Sequence, residues 1–427
     1  MPVRISLARS ITRYLKINQF FQTDPYVQFG HTGTNMSLTT SFEQNFGIKP
    51  VLETRAPGRV NLLGEHVDYN QGVVLPAAID RRVHLAAAPT EDGKVTLVAL
   101  DLGKKVTFDL DRLEAKCDAN GGPLPGWARF PAGVVWAFQQ AGMPVKGLQA
   151  AYTSNIPIGA GLSSSAAVEV AFASTWQALS ALDLDKLSLA KLCQRAENQY
   201  VGVSSGLMDQ FASACGVERH LLRFDTRSLE WEPLELPPGI AIVIADSGIR
   251  RSLRTSAYND RRAACEQAVK LLQEYLPNIQ SLRDVSTVEF AAYSAYLPPE
   301  VEKRAEHVVK EIHRVDQAII ALHRGDMRMF GGFMFASHKS LRDLYEVSLP
   351  ELDSLVDIAR SLPGIYGARL TGAGFGGCTV NLVNASQVEA FINGLVEGYM
   401  QRTGIKANAY LCYAAGGAET RWVNKPG

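Results

Sequence analysis

Pro157-Ile-Gly-Ala-Gly-Leu-Ser-Ser-Ser-Ala-Ala167 decides how this chain is to be read. Two glycines stand in a short turn, three serines follow, and residues 163–182 are rich in Ala, Ser and Val, as suits a buried helix. Glycines let backbone N–H groups approach a ligand closely. A helix N-terminus adds its dipole and its unsatisfied donors. The hydroxyls of Ser163, Ser164 and Ser165 can donate to phosphate oxygens or hold Mg²⁺ through water. Every part of a phosphate cradle is therefore present. A serine-capped helix after a flexible turn would explain one serine, not all three behind the glycines. No G-x-x-x-x-G-K-[ST] occurs in the chain, so the cradle is not a Walker A loop.

Upstream, residues 58–69 read Gly-Arg-Val-Asn-Leu-Leu-Gly-Glu-His-Val-Asp-Tyr. Arg59, Glu65, His66 and Asp68 fall beside apolar Val60, Leu62 and Leu63, around a Pro-Gly turn and a second glycine. That mixture describes a chain that is half core and half polar pocket. Such a pocket suits a hydroxyl-rich ligand, because carboxylates and imidazole exchange hydrogen bonds with hydroxyls and the arginine can meet an anion. A buried ion-paired turn is the plainer reading of the same residues.

Downstream, Leu370-Thr-Gly-Ala-Gly-Phe-Gly-Gly-Cys-Thr-Val380 contains G-x-G-x-x-G. A dinucleotide fingerprint would open a helix, but Cys378-Thr-Val-Asn-Leu-Val383 reads as a strand. The V-A-I-K, H-R-D and D-F-G partners of a protein kinase are missing, since His323-Arg324 is followed by Gly325. A glycine-rich hairpin is the alternative. Between these segments lies Glu197-Asn-Gln-Tyr-Val-Gly-Val-Ser-Ser-Gly-Leu-Met-Asp-Gln210. A carboxylate just after a Ser-Ser-Gly turn is well placed for a pocket. Asp209 by itself also fits a helix cap or a surface acid, and Glu197 a solvated helix position.

The chain has 427 residues, with 43 basic against 43 acidic side chains. The length is a prior for two or three domains with a real core. Hydrophobic content of 46% and charged content of 20% are ordinary for a globular protein. The neutral balance argues against a bulk electrostatic grip on nucleic acid or anionic membrane. No apolar run approaches the roughly 18 residues of a membrane span. Cys117, Cys193, Cys215, Cys265, Cys378 and Cys412 are widely spaced with no C-x-x-C pair, so neither a disulfide framework nor a zinc site is expected. Reduced thiols fit the cytoplasm. In residues 1–35, Arg4, Arg9, Arg13 and Lys16 stand against Asp24 alone. That is the character of a transit peptide. The reading adopted is instead that Met36 is the true start, because Met-Ser-Leu-Thr-Thr begins cleanly there. On either reading residues 1–35 are expected to be weakly ordered.

No internal repeat or low-complexity tract stands out. Val, Leu and Ala runs with turn punctuation predict strands within 72–89 and 94–100. Helices are expected over 130–141, 163–182 and from Leu187 to Tyr200, and strands over 148–155 and Ile240–Ala245. Amphipathic helices are predicted at 257–276 and 300–324, the latter with Val308, Val309, Ile312, Val315, Ile319 and Ile320 at helical spacing and Gly325 ending it. A domain boundary is placed near 230–240. Strands and helices do not alternate as βαβ units, so the class is α+β.

Taken in order, residues 58–69, 157–167 and 370–380 resemble three motifs of the GHMP small-molecule kinases (galacto-, homoserine, mevalonate and phosphomevalonate kinases). The first closely resembles the signature of the galactokinase branch. The resemblance runs from Phe42-Glu-Gln-Asn-Phe-Gly47 to near the C-terminus. It implies a ribosomal-S5-like N-terminal domain over 36–235 and a ferredoxin-like C-terminal domain over 236–427, with the site between them. Such clefts are usual places for small-ligand pockets.

The resemblance also implies roles. Gly159, Gly161, Leu162, Ser163, Ser164, Ser165 and Ala166 would bind ATP, and Trp127 matches a tryptophan near the adenine, with a core position as its alternative. Ser165 and Glu197 match positions that hold Mg²⁺. Asp209, in a Gly-x-Met-Asp-Gln segment beginning at Gly206, matches the catalytic acid/base. Arg59 would keep Asp209 ionised and stabilise charge on the transferring phosphoryl. Arg59, Glu65, His66, Asp68, Gly206, Asp209 and Tyr258 would surround the sugar. Tyr258 lies after Asp246-Ser-Gly-Ile-Arg-Arg-Ser-Leu, where galactokinases often carry asparagine in place of Gly248. The third motif would buttress the site. Residues 337–353 are also galactokinase-like, and no chemistry is assigned to them. The activity implied is phosphorylation of galactose on its anomeric hydroxyl by ATP with Mg²⁺, in a cytoplasmic monomer whose only partners are small molecules. The alternatives are a sister sugar 1-kinase for N-acetylgalactosamine, galacturonate or arabinose, against which Asp68-Tyr69-Asn70 speaks, and a silent galactose sensor, against which the intact serine loop, Arg59 and Asp209 speak.

Overall fold

The Ala-rich run ending at Thr90 becomes the longest strand, and the largest sheet is built around it. The computed structural model describes residues 37–250 and 254–424, so the expectation about residues 1–35 falls outside the described part. The first half runs α1 (Leu38–Phe46), β1 (Leu52–Asn61), β2 (Val73–Val74), β3 (Pro76–Thr90), β4 (Lys94–Ala99), β5 (Lys104–Asp109), α2 (Gly126–Gln140), β6 (Gly147–Ser154), α3 (Ser164–Leu179), α4 (Lys186–Arg195), α5 (Met208–Cys215), β7 (His220–Asp225) and β8 (Trp231–Glu235). The second runs β9 (Ile240–Asp246), α6 (Arg254–Leu272), α7 (Thr287–Tyr293), α8 (Pro299–His323), α9 (Met327–Asp343), α10 (Pro350–Ser361), β10 (Ile365–Thr371), β11 (Cys378–Asn384), α11 (Val388–Thr403), β12 (Asn408–Cys412) and β13 (Glu419–Trp422).

The first sheet has the order β13-β1-β3-β6-β4-β5, with β4 and β6 parallel and its other pairs antiparallel. A second sheet, β10-β11-β9-β12, is wholly antiparallel, and a small third one is β2-β7-β8. Helices and mainly antiparallel sheets make the expected α+β class. The last strand, β13, returns to the first sheet, where Thr54 meets Thr420 through their hydroxyls at 3.0 Å.

Two local details aim the site. The pairing of β1 with β3 shifts between Pro57 and Arg59, an irregularity that re-aims side chains. At that point Gly58 passes so close to the serine loop that a Cβ there would lie 2.6 Å from the Leu162 carbonyl oxygen, which accepts from Arg59 N–H at 3.1 Å. The buried α3 then carries the serines at its start and packs beneath the sheet through Thr175, bonded to Thr54 at 2.8 Å.

Three expectations need correction. The helix expected from residue 130 begins at Gly126 and takes Trp127 into its first turn. The helix expected from Leu187 to Tyr200 ends as α-helix at Arg195 and continues as a π-turn over Ala196–Val201. Its wider winding turns Glu197 into the interior, as π-turns at functional sites do. On α8, Ile320 is 42% exposed, whereas Val308, Val309 and Val315 are buried. All six cysteines are free thiols, and among the described residues no helix is long and apolar enough to cross a membrane.

Candidate active site

Arg59 leaves β1 at the irregularity and closes a fork on Asp209 at the start of α5. Its Nε donates to Oδ1 at 2.8 Å and its Nη2 to Oδ2 at 2.9 Å, while Nη1 donates to the Gly161 carbonyl at 2.7 Å. The arginine side chain is 4% exposed and the aspartate 26%. Two parallel charge-assisted bonds fix the carboxylate plane. Ser163, itself in a left-handed conformation (φ 56°), donates its hydroxyl to Oδ2 at 2.5 Å. Three of the roughly four lone-pair positions of a carboxylate are thereby filled. The remaining one belongs to Oδ1.

The same cleft, with a volume of about 250 Å³, is lined by Glu65, His66, Asp68, Gly206 and Tyr258 on one side and by Gly159, Gly161 and the three serines on the other. Glu65 is buried, and its Oε2 accepts from Arg369 Nη2 at 2.5 Å and from Gly372 N–H at 3.1 Å. Burial pushes its carboxyl up, opposed by the Arg369 and Arg59 charges. Burial, with Asp209 and Glu65 nearby, raises Asp68 to about 7. Gly206 is required beneath Asp68, because a Cβ there would lie 1.9 Å from Asp68 Oδ2. Tyr258 stands over the cleft with its ring 5.5 Å from that of His66 and 5.4 Å from that of Tyr69.

His66 lines the cleft, yet both its nitrogens are engaged by protein. Nε2 faces the Ala373 carbonyl at 3.3 Å, so the proton sits there, and Nδ1 accepts from the Tyr69 hydroxyl at 2.8 Å. Tyr69 then accepts from Tyr345 at 2.7 Å, and Tyr345 from the Cys265 thiol at 3.3 Å. Burial lowers the imidazole well below its ordinary value, so the ring is neutral. The His66 backbone itself is held at φ 62°.

Glu197 sits in the π-turn, buried. The hydroxyl of Ser205 donates to its Oε2, as does Gln210 Nε2 at 2.8 Å, and Ser165 also bonds it. Burial raises its carboxyl. Ser165 and Glu197 are oxygen donors meeting at the cleft, and among the described residues no group of three or more His, Cys, Asp or Glu could hold a metal. That donor set fits Mg²⁺, which takes one or two protein oxygens and completes its shell with phosphates and water.

The glycines of 370–380 are backbone contacts. A Cβ at Gly372 would lie 2.5 Å from the Gly161 carbonyl oxygen, and one at Gly377 2.6 Å from that of Ala160. The hairpin therefore backs the phosphate loop directly. Arg250 steadies the other side, donating to the Ile158 carbonyl at 2.9 Å while paired with Asp246. The stretch 337–353, to which no chemistry was assigned, supports the segment 58–69 from behind. Ser337 and Gly64 N–H both donate to Glu311 Oε1, at 2.7 and 3.0 Å. Ser340 meets His307, which reaches the Glu65 carbonyl at 3.2 Å.

Of the residues named from the sequence, Leu162, Ala166 and Trp127 do not line the cleft. Leu162 and Ala166 are buried core. Trp127 packs against the same core 6.3 Å from Tyr152, its indole N–H without an acceptor. Sequence reasoning missed Arg369, Ser205, Gln210 and the Tyr345–Cys265 pair. An arginine in an apolar strand run was the available signal for Arg369.

Residues 40–89 match a model of the galactokinase galactose-binding signature, 129–217 the N-terminal domain of GHMP kinases and 318–399 their C-terminal domain. A galactokinase of Roseiflexus sp. is 47% identical over 380 residues, covering 89% of this chain and 95% of that protein. The galactokinase of Homo sapiens is 42% identical over 384 residues, covering 89% and 94%. The crystal structure of Lactococcus lactis galactokinase complexed with galactose superposes with a TM-score of 0.84 at 37% identity, covering 90% of this chain and 98% of that one. A mevalonate kinase structure, 20% identical with a TM-score of 0.58 over 84% of this chain and 98% of its own, shares the fold.

Proposed function

This chain belongs to the galactokinase family of the GHMP kinases, and from that premise we propose how its cleft divides the work. The reaction is transfer of the γ-phosphoryl group of ATP to the anomeric hydroxyl of α-D-galactose. The observation that carries the reading is the Arg59 fork on Asp209, placed between the sugar signature and the serine loop.

Oδ1 of Asp209, with its remaining lone pair, accepts the proton of the anomeric hydroxyl. The anomeric oxygen bonds to the γ-phosphorus, the bond to the β,γ-bridging oxygen breaks, and its electron pair leaves with ADP. Arg59 holds the carboxylate plane and places positive charge beside the phosphoryl group in transfer, where such charge lowers the barrier most. Backbone N–H groups of the serine loop and the hydroxyls of Ser164 and Ser165 hold the phosphates at the start of α3. Glu65 Oε1, Asp68 and the Tyr258 hydroxyl meet sugar hydroxyls. A site that pairs each hydroxyl penalises an epimer, because its buried polar groups are left unpaired. Ser165 and Glu197 would hold Mg²⁺, which would supply charge neutralisation at the phosphates.

The domain division is placed at 235/236, the second segment lending β13 to the first sheet. The free thiols favour the cytoplasm, and the single-chain cleft favours a monomer. The test is Mg²⁺-dependent ADP release with galactose, N-acetylgalactosamine, galacturonate, L-arabinose and glucose. Turnover highest on galactose is expected. Turnover highest on another sugar moves the substrate, and binding of galactose and ATP without turnover replaces the kinase with a sensor.

A further inference from the structure

Behind the proposed metal ligand Glu197 lies a second acid that the mechanism does not use. Glu169 is on α3, completely buried. Glu65 and Glu311, buried as well, each meet a guanidinium, that of Arg369 and that of Arg314, while Glu197 like Glu169 meets none but takes hydroxyls from Ser205 and Ser165. No ion pair joins Glu169 to a cation among the described residues. The charged groups acting on it, Glu197 and Asp209, are acids. Among the described residues its side chain bonds Gln210, whose Nε2 donates to Glu169 Oε2 at 2.9 Å and, with its second hydrogen, to Glu197 Oε2 at 2.8 Å.

This pair holds two of the buried oxygens that lack a hydrogen-bond partner, Glu169 Oε1 and Gln210 Oε1. Both are acceptors while Glu169 is ionised. Turning the amide over does not help, because its oxygen would then face two carboxylates. One proton resolves both vacancies. We propose that Glu169 is held as the neutral acid, with the hydroxyl at Oε1 donating to Gln210 Oε1, and that this closed acid–amide pair positions the second Gln210 N–H on Glu197.

The energetics agree. An ionised carboxylate with no cation in a dry interior is costly to keep, and a buried acceptor left unpaired adds to that cost. The neutral pair removes both costs with a single proton. Burial and the neighbouring acids push the Glu169 carboxyl well above its ordinary value, in the same direction. Glu169 is then a positioning residue. It keeps Glu197 the one ionisable acid on Gln210, so that the amide is locked by a neutral partner rather than shared between two anions. The consequence for Glu197 rests on the kinase reading; the proton on Glu169 does not.

The experiment has two readouts on the purified, metal-free full chain. Infrared difference spectroscopy at neutral pH, wild type minus Glu169→Gln, is expected to show the carbonyl stretch of a protonated carboxylic acid; only carboxylate bands in that difference would overturn the proposal. In galactose-dependent turnover, Glu169→Gln, which rebuilds the pair as amide on amide, is expected to stay near wild type with an unchanged apparent KM for Mg²⁺. Glu169→Ala is expected to raise that KM by about 10–100-fold, the usual effect of removing a group behind a metal ligand. A Glu169→Gln loss as large as that of Glu169→Ala would mean that the negative charge is needed, and would overturn it. Should the alanine variant fail to fold, the infrared band and the glutamine variant still decide. Wild-type inactivity on all sugars would count against the kinase reading and leave the infrared result standing.

Discussion

Replacing Asp209 by asparagine tests the centre of the site, and the structure says what the change does atom by atom. Oδ2 receives two donors, Arg59 Nη2 and Ser163 Oγ, whereas Oδ1 receives Arg59 Nε alone. The asparagine amide therefore keeps its oxygen at the Oδ2 position and puts its NH₂ at Oδ1. One charge-assisted bond is lost, at roughly 1.5–3 kcal/mol, and two donors face each other. Arg59 is nearly inaccessible to solvent, but Asp209 is 26% exposed. The loss of stability should therefore stay below the ~3–5 kcal/mol of a broken, fully buried pair. The atom replaced is also the one with the free lone pair, so proton acceptance disappears together with the carboxylate. Turnover should fall about 10²–10⁴-fold, the range for general acid–base catalysis. The assays are ADP release for kcat and KM, galactose titration by calorimetry, and a urea melt. A folded variant that binds galactose and turns over within about tenfold of wild type, far short of the usual acid–base contribution, would remove Asp209 from the mechanism. Ser163→Ala is the companion: it keeps the base and removes one donor, so its kcat loss should be clearly smaller.

Gly206→Ala drives a methyl group into Asp68, since the built Cβ lies 1.9 Å from Oδ2. KM for galactose should rise by the equivalent of about 1–3 kcal/mol, with KM for ATP little changed; an unaltered galactose KM would take Asp68 out of the sugar site. Asp68, raised to about 7, is neutral below that pH and ionised above it. As the carboxylate is the stronger acceptor, kcat/KM for galactose should climb with pH through about 7, and Asp68→Asn should flatten that step. A step unchanged in the variant belongs to another group. Tyr345→Phe removes the hydroxyl that joins Tyr69 to the Cys265 thiol, so each loses one partner. It should cost roughly 1 kcal/mol of stability and raise KM for galactose more than it lowers kcat; if both stay at wild-type values, the hydroxyl chain does not hold His66.

The loops were legible because their chemistry needs residue types that are rare elsewhere. Gly159 and Gly161 have φ of 69° and 81°, which other residues seldom adopt, and a spaced glycine pair before serines announces that geometry. The charged signature around Glu65 was legible as a pocket for the same reason: four ionisable residues among core leucines. What was not legible was who pairs with whom across long separations. Arg369 meets Glu65 from 304 positions away, and a strand arginine carries no mark of its partner. Gln210 looked like the tail of a motif until its amide was found between two carboxylates. His66 was legible as a site residue, yet its hydrogen bonds go to Tyr69 and Ala373, because the fold brings the third motif behind it. Glu197 matches a metal-holding position by resemblance, with a solvated helix site as its alternative, and nothing in residues 187–200 announces the π-turn that buries it.

The return of β13 to the first sheet has a bearing on biosynthesis. Arg59 projects from β1, and β1 has β3 on one side and β13 on the other. The residues that meet there, Thr54 and Thr420, are 366 positions apart. A ribosome making this chain finishes every catalytic side chain well before it delivers the strand that seals that edge. Until then the nascent chain exposes the unpaired rim of β1, the kind of edge on which other strands add. A premature stop just upstream of Glu419 would delete no residue of the cleft and still leave the platform of Arg59 open.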